Sequence, residues 1–491
     1  MDLLSLEFAL FMLVVLLLNW SLVDRKSLYR IFLLCASYIF YGALSQLFLL
    51  FLIHFSVWTW ALGLGIGLAR SAFARKAFLV AHVVIGVGEL VVFKYYDLFF
   101  ELSNQMLAQT AIKPVLPEFD VAVPVGISFF TFQGLSYTID VFRDGRRVVK
   151  APIDLFIYLA FFPTILSGPI LRAPDFVPQI GNMRLDRASS SMAFSLILTG
   201  LAKKLVLSSY LFDHVVQPVF EHPGEFSSFT AALGALGYSV QILCDFSGYT
   251  DLVTGVAMLL GYSIPANFNN PYSARNLKEF WHRWHMSLSF WLRDYLYIPL
   301  GGNRRGLSFK YVNILITMTL GGLWHGARWS FLLWGFYHGV GLIVTHLFVD
   351  LRGKLAGAQP KPLDPLAVST AGRAWQLLGS AFSWLTTFGF VTIGWVFFGS
   401  ASLEQATALL GRIFALDGMG AGLSSPVLAA VLLIIGAVLL HEILRWKLRE
   451  GLTHFLQMLP TPIQVVVLSL LIVLLLKLAP DGVPQFIYYQ F

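Results

Sequence analysis

Charged side chains are scarce in this 491-residue chain. Asp, Glu, Lys and Arg together make up 12% of the residues, whereas 57% are hydrophobic. A soluble globular protein carries about 25% charged residues, so the composition excludes an ordinary soluble domain. The hydrophobic residues form continuous runs of roughly twenty, which is the length of a bilayer-spanning helix. Because the runs do not alternate with polar residues, they exclude a barrel of strands, and we predict an all-α, polytopic membrane protein.

Cysteine and the common nucleotide or hydrolase motifs are also nearly absent. The two cysteines, Cys35 and Cys244, lie inside apolar runs, which excludes a disulfide framework and a cysteine-based metal site. No G-x-S-x-G elbow, P-loop or dinucleotide fingerprint occurs. The first run, residues 3–20, lacks a basic flank and a small-residue cleavage site, so we predict a retained span and not a signal peptide.

Loops that are rich in basic residues alternate along the chain with loops that are poor in them. The formal net charge is +7, and its basic residues cluster between apolar runs, as the positive-inside rule describes for cytoplasmic loops. We therefore predict that they orient the chain and do not bind nucleic acid. The loops with Arg25, Arg75, Arg146, Arg352 and Arg445 are predicted to be cytoplasmic, and both termini external. The topology rests on the runs 3–20, 31–42, 47–68, 77–92, 121–141, 312–323, 331–348, 377–398, 427–440 and 464–478.

Two segments depart from simple spans. Residues 154–170 contain Pro163 and Pro169, which break a helix. Broken backbone is tolerated at membrane depth only inside protein or beside water, so we predict a re-entrant segment. Residues 271–310 are basic and amphipathic, and we predict that they lie on the cytoplasmic side and re-enter the membrane in part.

Two further segments indicate how the chain is divided into helices and linkers. Lys203 and Lys204 interrupt residues 192–211, which predicts a helix that ends at the membrane interface. Residues 350–372 contain several prolines and are the best candidate for a linker. No internal repeat is evident, and we predict a single membrane domain over residues 1–491.

Polar and aromatic residues concentrate in one window, residues 238–338. Within it, His325 follows the apolar run 312–323 and precedes Gly326. Imidazole is the side chain best suited to move protons near neutral pH. A buried histidine can also serve only as a hydrogen-bond partner of a neighbouring helix. Polar groups at membrane depth are costly and are functional by default, so the catalytic interpretation is favoured, with His325 as general base.

His282 and His285 form a second group in this window. They are three residues apart, which predicts one shared helix face. A zinc site needs a further ligand in fixed geometry, and no H-E-x-x-H pattern accompanies them, so we predict no metal. Trp281, Arg283 and Trp284 suit an interfacial amphipathic helix. That interpretation is compatible with an anionic ligand approaching along the same surface.

Asp245 and Asp251 are carboxylates inside the apolar run 229–262. Two interpretations carry equal weight: a structural ion pair, with Arg283 or Arg293 as partner, or direct participation in catalysis. The fifth run also carries polar side chains, for which hydrogen bonds between helices are favoured over a polar cavity. These side chains are Ser128, Gln133, Tyr137 and Asp140.

At these residues the sequence resembles the membrane-bound O-acyltransferases (MBOAT), in particular the bacterial branch that contains alginate O-acetyltransferase. The resemblance covers nearly the whole chain, and its motif-bearing core is about residues 120–345. The matching stretches are Pro124-Val125-Gly126-Ile127-Ser128-Phe129-Phe130, Ser167-Gly168-Pro169, Asp245-Phe246-Ser247-Gly248-Tyr249-Thr250-Asp251, Asn267-Phe268-Asn269-Asn270-Pro271-Tyr272, residues 280–295, Ile298-Pro299-Leu300-Gly301-Gly302-Asn303-Arg304, Gly321-Gly322-Leu323-Trp324-His325-Gly326 and residues 486–491.

The resemblance implies a helical ring around a thin centre, in which a cytoplasmic tunnel meets an outward funnel. It implies that His325 is the catalytic histidine and that His285 is the second histidine of the site. It assigns no role to His282. The alginate branch resembles this chain more than the D-alanyl-lipoteichoic-acid branch does, and systems that acetylate cellulose, peptidoglycan and other exopolysaccharides look similar.

Two functions are compatible with the sequence. The first is an O-acetyltransferase of the bacterial inner membrane, with acetyl-CoA as donor substrate and no permanently bound cofactor. Some of four cations would hold its phosphates, and His325 would deprotonate the hydroxyl that attacks the thioester. The four cations are Lys278, Arg283, Arg304 and Arg305. The resemblance implies that the acetyl group passes to a periplasmic serine-esterase-like (SGNH-type) partner, which modifies a polysaccharide.

The second function is a transporter or flippase for an acyl carrier or a glycan. Discontinuous helices serve such proteins as well, and the histidines would then only line the path. Turnover of acetyl-CoA by the purified protein distinguishes the two hypotheses.

Overall fold

A computed structural model describes residues 3–107, 122–183, 186–355, 370–418, 420–445 and 447–480. Over these residues the chain is helical, and its one β-type pairing is an isolated bridge between Phe226 and Ala421. The all-α prediction is confirmed. The α-helices are α1 (Leu6–Leu22), α2 (Lys26–Gly42), α3 (Gln46–Leu68), α4 (Ala72–Leu107), α5 (Ile127–Arg143), α6 (Pro152–Ala160), α7 (Ala173–Phe176), α8 (Arg187–Leu201), α9 (Ser209–Leu211), α10 (Gln217–Glu221), α11 (Ser228–Leu259), α12 (Leu277–Trp281), α13 (Met286–Leu292), α14 (Leu307–His325), α15 (Trp329–Leu355), α16 (Thr370–Gly399), α17 (Leu403–Phe414), α18 (Ser425–Leu444), α19 (Leu448–Met458) and α20 (Thr461–Leu478).

Among the described residues, eight helices are long and apolar enough to cross a membrane. Three of them, α4, α18 and α20, bury 11%, 17% and 11% of their most apolar window, as expected of helices that face lipid. The protein is therefore a multi-pass membrane protein, as predicted. The eight spans are Gln46–Leu68, Ala72–Leu107, Arg187–Glu221, Ser228–Leu259, Trp329–Leu351, Ala374–Gly399, Ser425–Leu444 and Thr461–Leu478.

Several boundaries differ from the sequence prediction. Helix α4 continues past the end of the predicted apolar run 77–92 to Leu107. The linker predicted at residues 350–372 lies mostly outside the described residues, and α15 and α16 extend into it from either side. The closing motif at residues 486–491 also lies outside the described residues.

The described residues cluster into two compact units whose segments alternate along the chain. The first unit comprises Met1–Thr199, Tyr249–Pro265 and Arg449–Leu468, and the second comprises Gly200–Gly248, Ala266–Leu448 and Ser469–Phe491. The single domain predicted over residues 1–491 stays a prediction.

Helix α5 forms the core of the first unit. Nearly all of its side chains are buried. The hydroxyl of Tyr137 accepts a hydrogen bond from the backbone N–H of Val149 at 3.1 Å, and the carbonyl of Gln133 accepts one from Tyr158 at 3.2 Å. The contact of the Tyr137 hydroxyl supports the structural interpretation of that side chain, whereas Gln133 contributes its backbone carbonyl.

The broken segment of the first unit follows α6, which ends at Ala160. Its turn packs against Gly126, whose φ of 81° is in the left-handed region. A Cβ on Gly126 would lie 2.2 Å from the carbonyl oxygen of Ile165. Glycine is therefore required both by the positive φ and by the lack of space for a Cβ atom. The Pro124-to-Phe130 motif thus allows the broken segment to pack closely against the start of α5.

In the second unit, Lys204 contradicts the prediction that its helix ends at an interface. Helical backbone continues from Arg187 to Glu221, with π-helical turns at Ala202–Ser208 and Phe212–Val216. Lys204 is 4% exposed and forms an ion pair with Asp245 of α11. The carboxylate compensates the buried ammonium, so the lysine does not end the helix.

Asp245 and Asp251 therefore do not have the partners predicted from the sequence. Asp245 pairs with Lys204, and, in the first unit, Asp251 pairs with Arg449 at 3.3 Å. The arginines proposed as partners, Arg283 and Arg293, bind Glu279 and Asp294 instead. The ion-pair interpretation of both aspartates is favoured by these contacts.

Candidate active site

A hairpin of α14 and α15 in the second unit positions His325, the last residue of α14. The backbones of the two helices are in direct contact. A Cβ on Gly322 would lie 2.3 Å from the carbonyl oxygen of Phe331, and a Cβ on Gly335 would lie 2.4 Å from that of Met318. Glycines at such positions let membrane helices approach closely. The end of α14 is thereby brought against the first turns of α15.

Four aromatic rings surround the imidazole of His325, which is 4% exposed. The distances between ring centroids are 4.9 Å to Trp324, 5.0 Å to Phe398, 5.3 Å to Trp334 and 6.1 Å to Phe331. This enclosure excludes bulk water from the imidazole. Electrostatic interactions between the imidazole and nearby charged or polar groups are stronger in such surroundings than in water.

His285 occupies a turn with left-handed backbone, at φ 41° and ψ 55°. Such a conformation is uncommon for residues other than glycine, and neighbouring hydrogen bonds fix it here. The N–H of Asn269 donates to the carbonyl of Arg283 at 3.0 Å, and the N–H of Met286 donates to that of Asn267 at 2.9 Å. The Asn267-to-Tyr272 motif thus serves as a clamp for the backbone of His285.

The predicted shared helix face of His282 and His285 is wrong. His282 follows α12, whereas His285 precedes α13, so no helix carries both residues. His282 is exposed and His285 is 1% exposed. Burial lowers the pKa of the His285 imidazole to about 3, because the charged ring would lose its hydration. The ring is therefore neutral at physiological pH and offers one donor and one acceptor.

Both buried imidazoles line one cavity of about 350 Å³. This volume lies within the range of about 300–1,000 Å³ that is typical of small-molecule sites. Its buried end contains His285 and His325, whose rings lie 6.1 Å and 4.9 Å from the ring of Trp324. Its exposed lining includes Lys278 and Arg293. The cavity therefore has a cationic mouth and a buried, aromatic part that holds two histidines.

The four cations predicted for the donor phosphates have different positions. Lys278 lines the mouth of the cavity. Arg283 does not line it, and its guanidinium binds Glu279 at 2.8 Å. Arg304 and Arg305 are exposed in the turn before α14 and also lie outside the lining. Their role in phosphate binding stays a prediction.

Several lining residues were not identified from the sequence as ligand-binding residues. Trp334, Leu342 and His346 line the cavity from α15, and Arg293 lines it from the π-helical turn after α13. The spacing of four or eight residues on α15 places its three side chains on one helix face. That periodicity was visible in the sequence, but it is equally typical of a packed helix.

The chain was then compared with known proteins. The sequence model described as "MBOAT, membrane-bound O-acyltransferase family" matches residues 90–356, which include both buried histidines of the cavity. The chain belongs to the membrane-bound O-acyltransferase family. It is accordingly an acyltransferase, and the predicted family and enzyme class are confirmed. The ring of helices and the tunnel implied by that family stay predictions.

Curated relatives of this O-acyltransferase include three with named activities. A "Probable alginate O-acetylase AlgI" of Pseudomonas aeruginosa is 35% identical over 390 residues, which are 78% of this chain and 69% of the relative. A protein of the same name from Azotobacter vinelandii is 32% identical over 501 residues, 94% of both chains. A "Peptidoglycan O-acetyltransferase" of Helicobacter pylori is 30% identical over 417 residues, 79% of this chain and 74% of the relative.

Proposed function

We propose that this acyltransferase takes acetyl groups from cytoplasmic acetyl-CoA for the O-acetylation of an extracellular or periplasmic polysaccharide. The observation that carries the proposal is the cavity that joins a cationic mouth to His285 and His325. Acetyl-CoA matches this polarity, because its phosphates lie at one end and its thioester lies at the tip of a narrow arm. Phosphate oxygens bind cations such as Lys278 and Arg293.

In the proposed reaction, His325 accepts the proton of an acceptor hydroxyl while the hydroxyl oxygen attacks the thioester carbonyl carbon. The tetrahedral adduct then collapses and the carbon–sulfur bond breaks. The imidazolium returns its proton to the departing thiolate, which leaves as the CoA thiol. His285 is neutral at physiological pH and orients the acceptor hydroxyl by a hydrogen bond.

The proposed polysaccharide is alginate, which is the substrate in the printed names of the Pseudomonas and Azotobacter relatives. The proposed place of the protein is the bacterial inner membrane, with both termini periplasmic. An acceptor hydroxyl is then supplied from the periplasmic side by a serine-esterase-like partner of SGNH type, which passes the acetyl group to the sugar. Basic loops between the apolar runs support this orientation.

The first test is His325→Gln, which keeps a polar side chain but cannot accept the proton. We expect the rate of acetyl-CoA turnover by the purified protein, with a hydroxyl acceptor, to fall by about 10²–10⁴-fold, the contribution typical of a general base. His454→Gln, at an exposed position of α19, is the matched control and should keep full activity. Near-normal turnover by His325→Gln would contradict the role of His325 as general base, whereas a wild-type protein without acetyl-CoA turnover would favour the transporter hypothesis.

The second test concerns the mouth of the cavity. Lys278→Gln should raise the KM for acetyl-CoA about tenfold with little change in kcat, because a phosphate contact stabilises ground and transition states alike. The double variant Arg304→Gln/Arg305→Gln measures the predicted contribution of the neighbouring turn in the same assay. A KM unchanged in Lys278→Gln would show that the phosphates bind elsewhere.

A further inference from the structure

We propose that the indole N–H of Trp334 is the hydrogen-bond donor that stabilises the oxyanion during acetyl transfer. This inference rests on the proposed function. Trp334 is 2% exposed and lines the cavity, and its ring lies 5.3 Å from that of His325 at an interplanar angle of 89°. Its N–H is buried and has no hydrogen-bond partner among the described residues. Such a donor is costly to leave unbonded, so a ligand atom is its natural partner.

The chemistry at His325 requires a donor of this kind. Attack on the thioester moves the electron pair of the C=O bond onto the carbonyl oxygen, and a hydrogen-bond donor must meet the resulting negative charge. The imidazole is engaged with the proton of the acceptor and does not serve this oxygen. Of the four rings beside His325, Trp334 and Phe398 belong to the described lining of the cavity, and Trp334 carries the donor.

Neighbouring rings hold the Trp334 indole in place. It stacks on Trp395 at 5.8 Å and 22°, and the N–H of Trp395 donates to the hydroxyl of Tyr272 at 3.0 Å. On its other flank, the ring of Trp281 lies 5.7 Å away at 69°. Trp281 also has a buried N–H without a partner among the described residues. It is therefore the rival donor, one ring further along the lining.

The proton and electron movements balance without a further reactant. The acceptor hydroxyl gives its proton to His325 and its oxygen forms the new carbon–oxygen bond. The oxyanion accepts the N–H of Trp334 without taking its proton. On collapse the electron pair re-forms the C=O bond, the thiolate leaves, and His325 protonates it.

The experiment removes the N–H and keeps the ring. At position 334, the tryptophan analogue β-(3-benzothienyl)alanine has sulfur in place of the indole N–H and nearly the same side-chain shape. Nonsense suppression incorporates the analogue at this position only. We expect kcat to fall about 10²–10³-fold, the effect typical of losing one oxyanion donor, with KM for acetyl-CoA little changed. Trp334→Phe should lose at least as much. The same analogue at Trp384, outside the lining with its N–H bonded to the carbonyl of Tyr272 at 2.7 Å, should keep kcat.

Two outcomes would overturn the assignment. One is a wild-type kcat with the analogue at position 334, and the other is a larger loss in Trp281→Phe than in Trp334→Phe. His325→Gln is measured in the same preparation. If it is inactive while the analogue at 334 is active, the assignment of Trp334 fails and the proposed function stands. If it is active, the proposed role of His325 fails, and if the wild-type protein does not turn over acetyl-CoA, the proposed function itself fails.

Discussion

The protonation of His285 links the active site to the stability of the protein. Its pKa is about 3 in the folded protein and about 6.5 in an unfolded chain. Between these values the unfolded state binds a proton that the native state does not, so stability is complete above pH 6.5 and falls below it. From pH 6.5 to pH 5 this residue should cost about 1.5 kcal/mol.

We expect His285→Gln to flatten this acid dependence by that amount, because glutamine does not titrate. Unfolding free energies in detergent at pH 6.5 and pH 5 give the measurement. The exposed His454→Gln should follow the wild-type protein at both pH values. Parallel losses in the wild-type protein and His285→Gln would show that the native ring titrates normally.

Single residues also show what the sequence can and cannot predict. His325 and His285 could be singled out, because their motifs combine a proton-transfer group with an apolar setting. Trp334 could not, since the absence of a partner for an indole N–H is a property of packing. The shared helix face of His282 and His285 was predicted from their spacing alone. It does not form because the chain turns between α12 and α13.

At the scale of helices, the ion pair between Lys204 and Asp245 joins two membrane-spanning elements. Removal of one partner leaves an uncompensated buried charge, which costs about 3–5 kcal/mol. We expect Lys204→Met to lower the unfolding free energy by that amount in detergent. The double variant Lys204→Met/Asp245→Leu should lose less, because neither charge is left.

Arg449→Met provides the comparison for the buried pair. Its ion pair with Asp251 is half exposed on the arginine side, and exposed pairs contribute about 0–1 kcal/mol. An equal loss in Arg449→Met and Lys204→Met would contradict the assigned difference in burial. The pairing itself could not be predicted, because the sequence does not record which of several cations reaches a buried carboxylate.

Helix α4 shows the limit of hydropathy for element boundaries. Its apolar part was predicted as a span, but residues 95–107 carry Tyr, Asp, Glu and Asn among apolar side chains. Mixed polarity is compatible with both a loop and an exposed helical extension, and local hydrogen bonding decides between them. By contrast, the broken segment after α6 was predicted correctly, because proline acts through its own covalent geometry.

For the whole molecule, the distribution of basic residues predicts which side of the membrane each loop faces. The positive-inside rule places the Arg146 loop in the cytoplasm and Phe491 outside. Reporter fusions at these two positions should therefore report opposite sides. A cytoplasmic signal from both fusions would require an odd number of crossings to be added or removed between them.

The glycine contacts between α14 and α15 have a consequence for the energetics of catalysis. At Gly322 and Gly335 the backbones of the two helices are in contact, which leaves little space for sliding or tilting. His325 and Trp334 are consequently carried by two closely packed helices, and their separation is set when the chain folds. Binding of the donor then need not order them, so less conformational entropy is lost as the reaction begins.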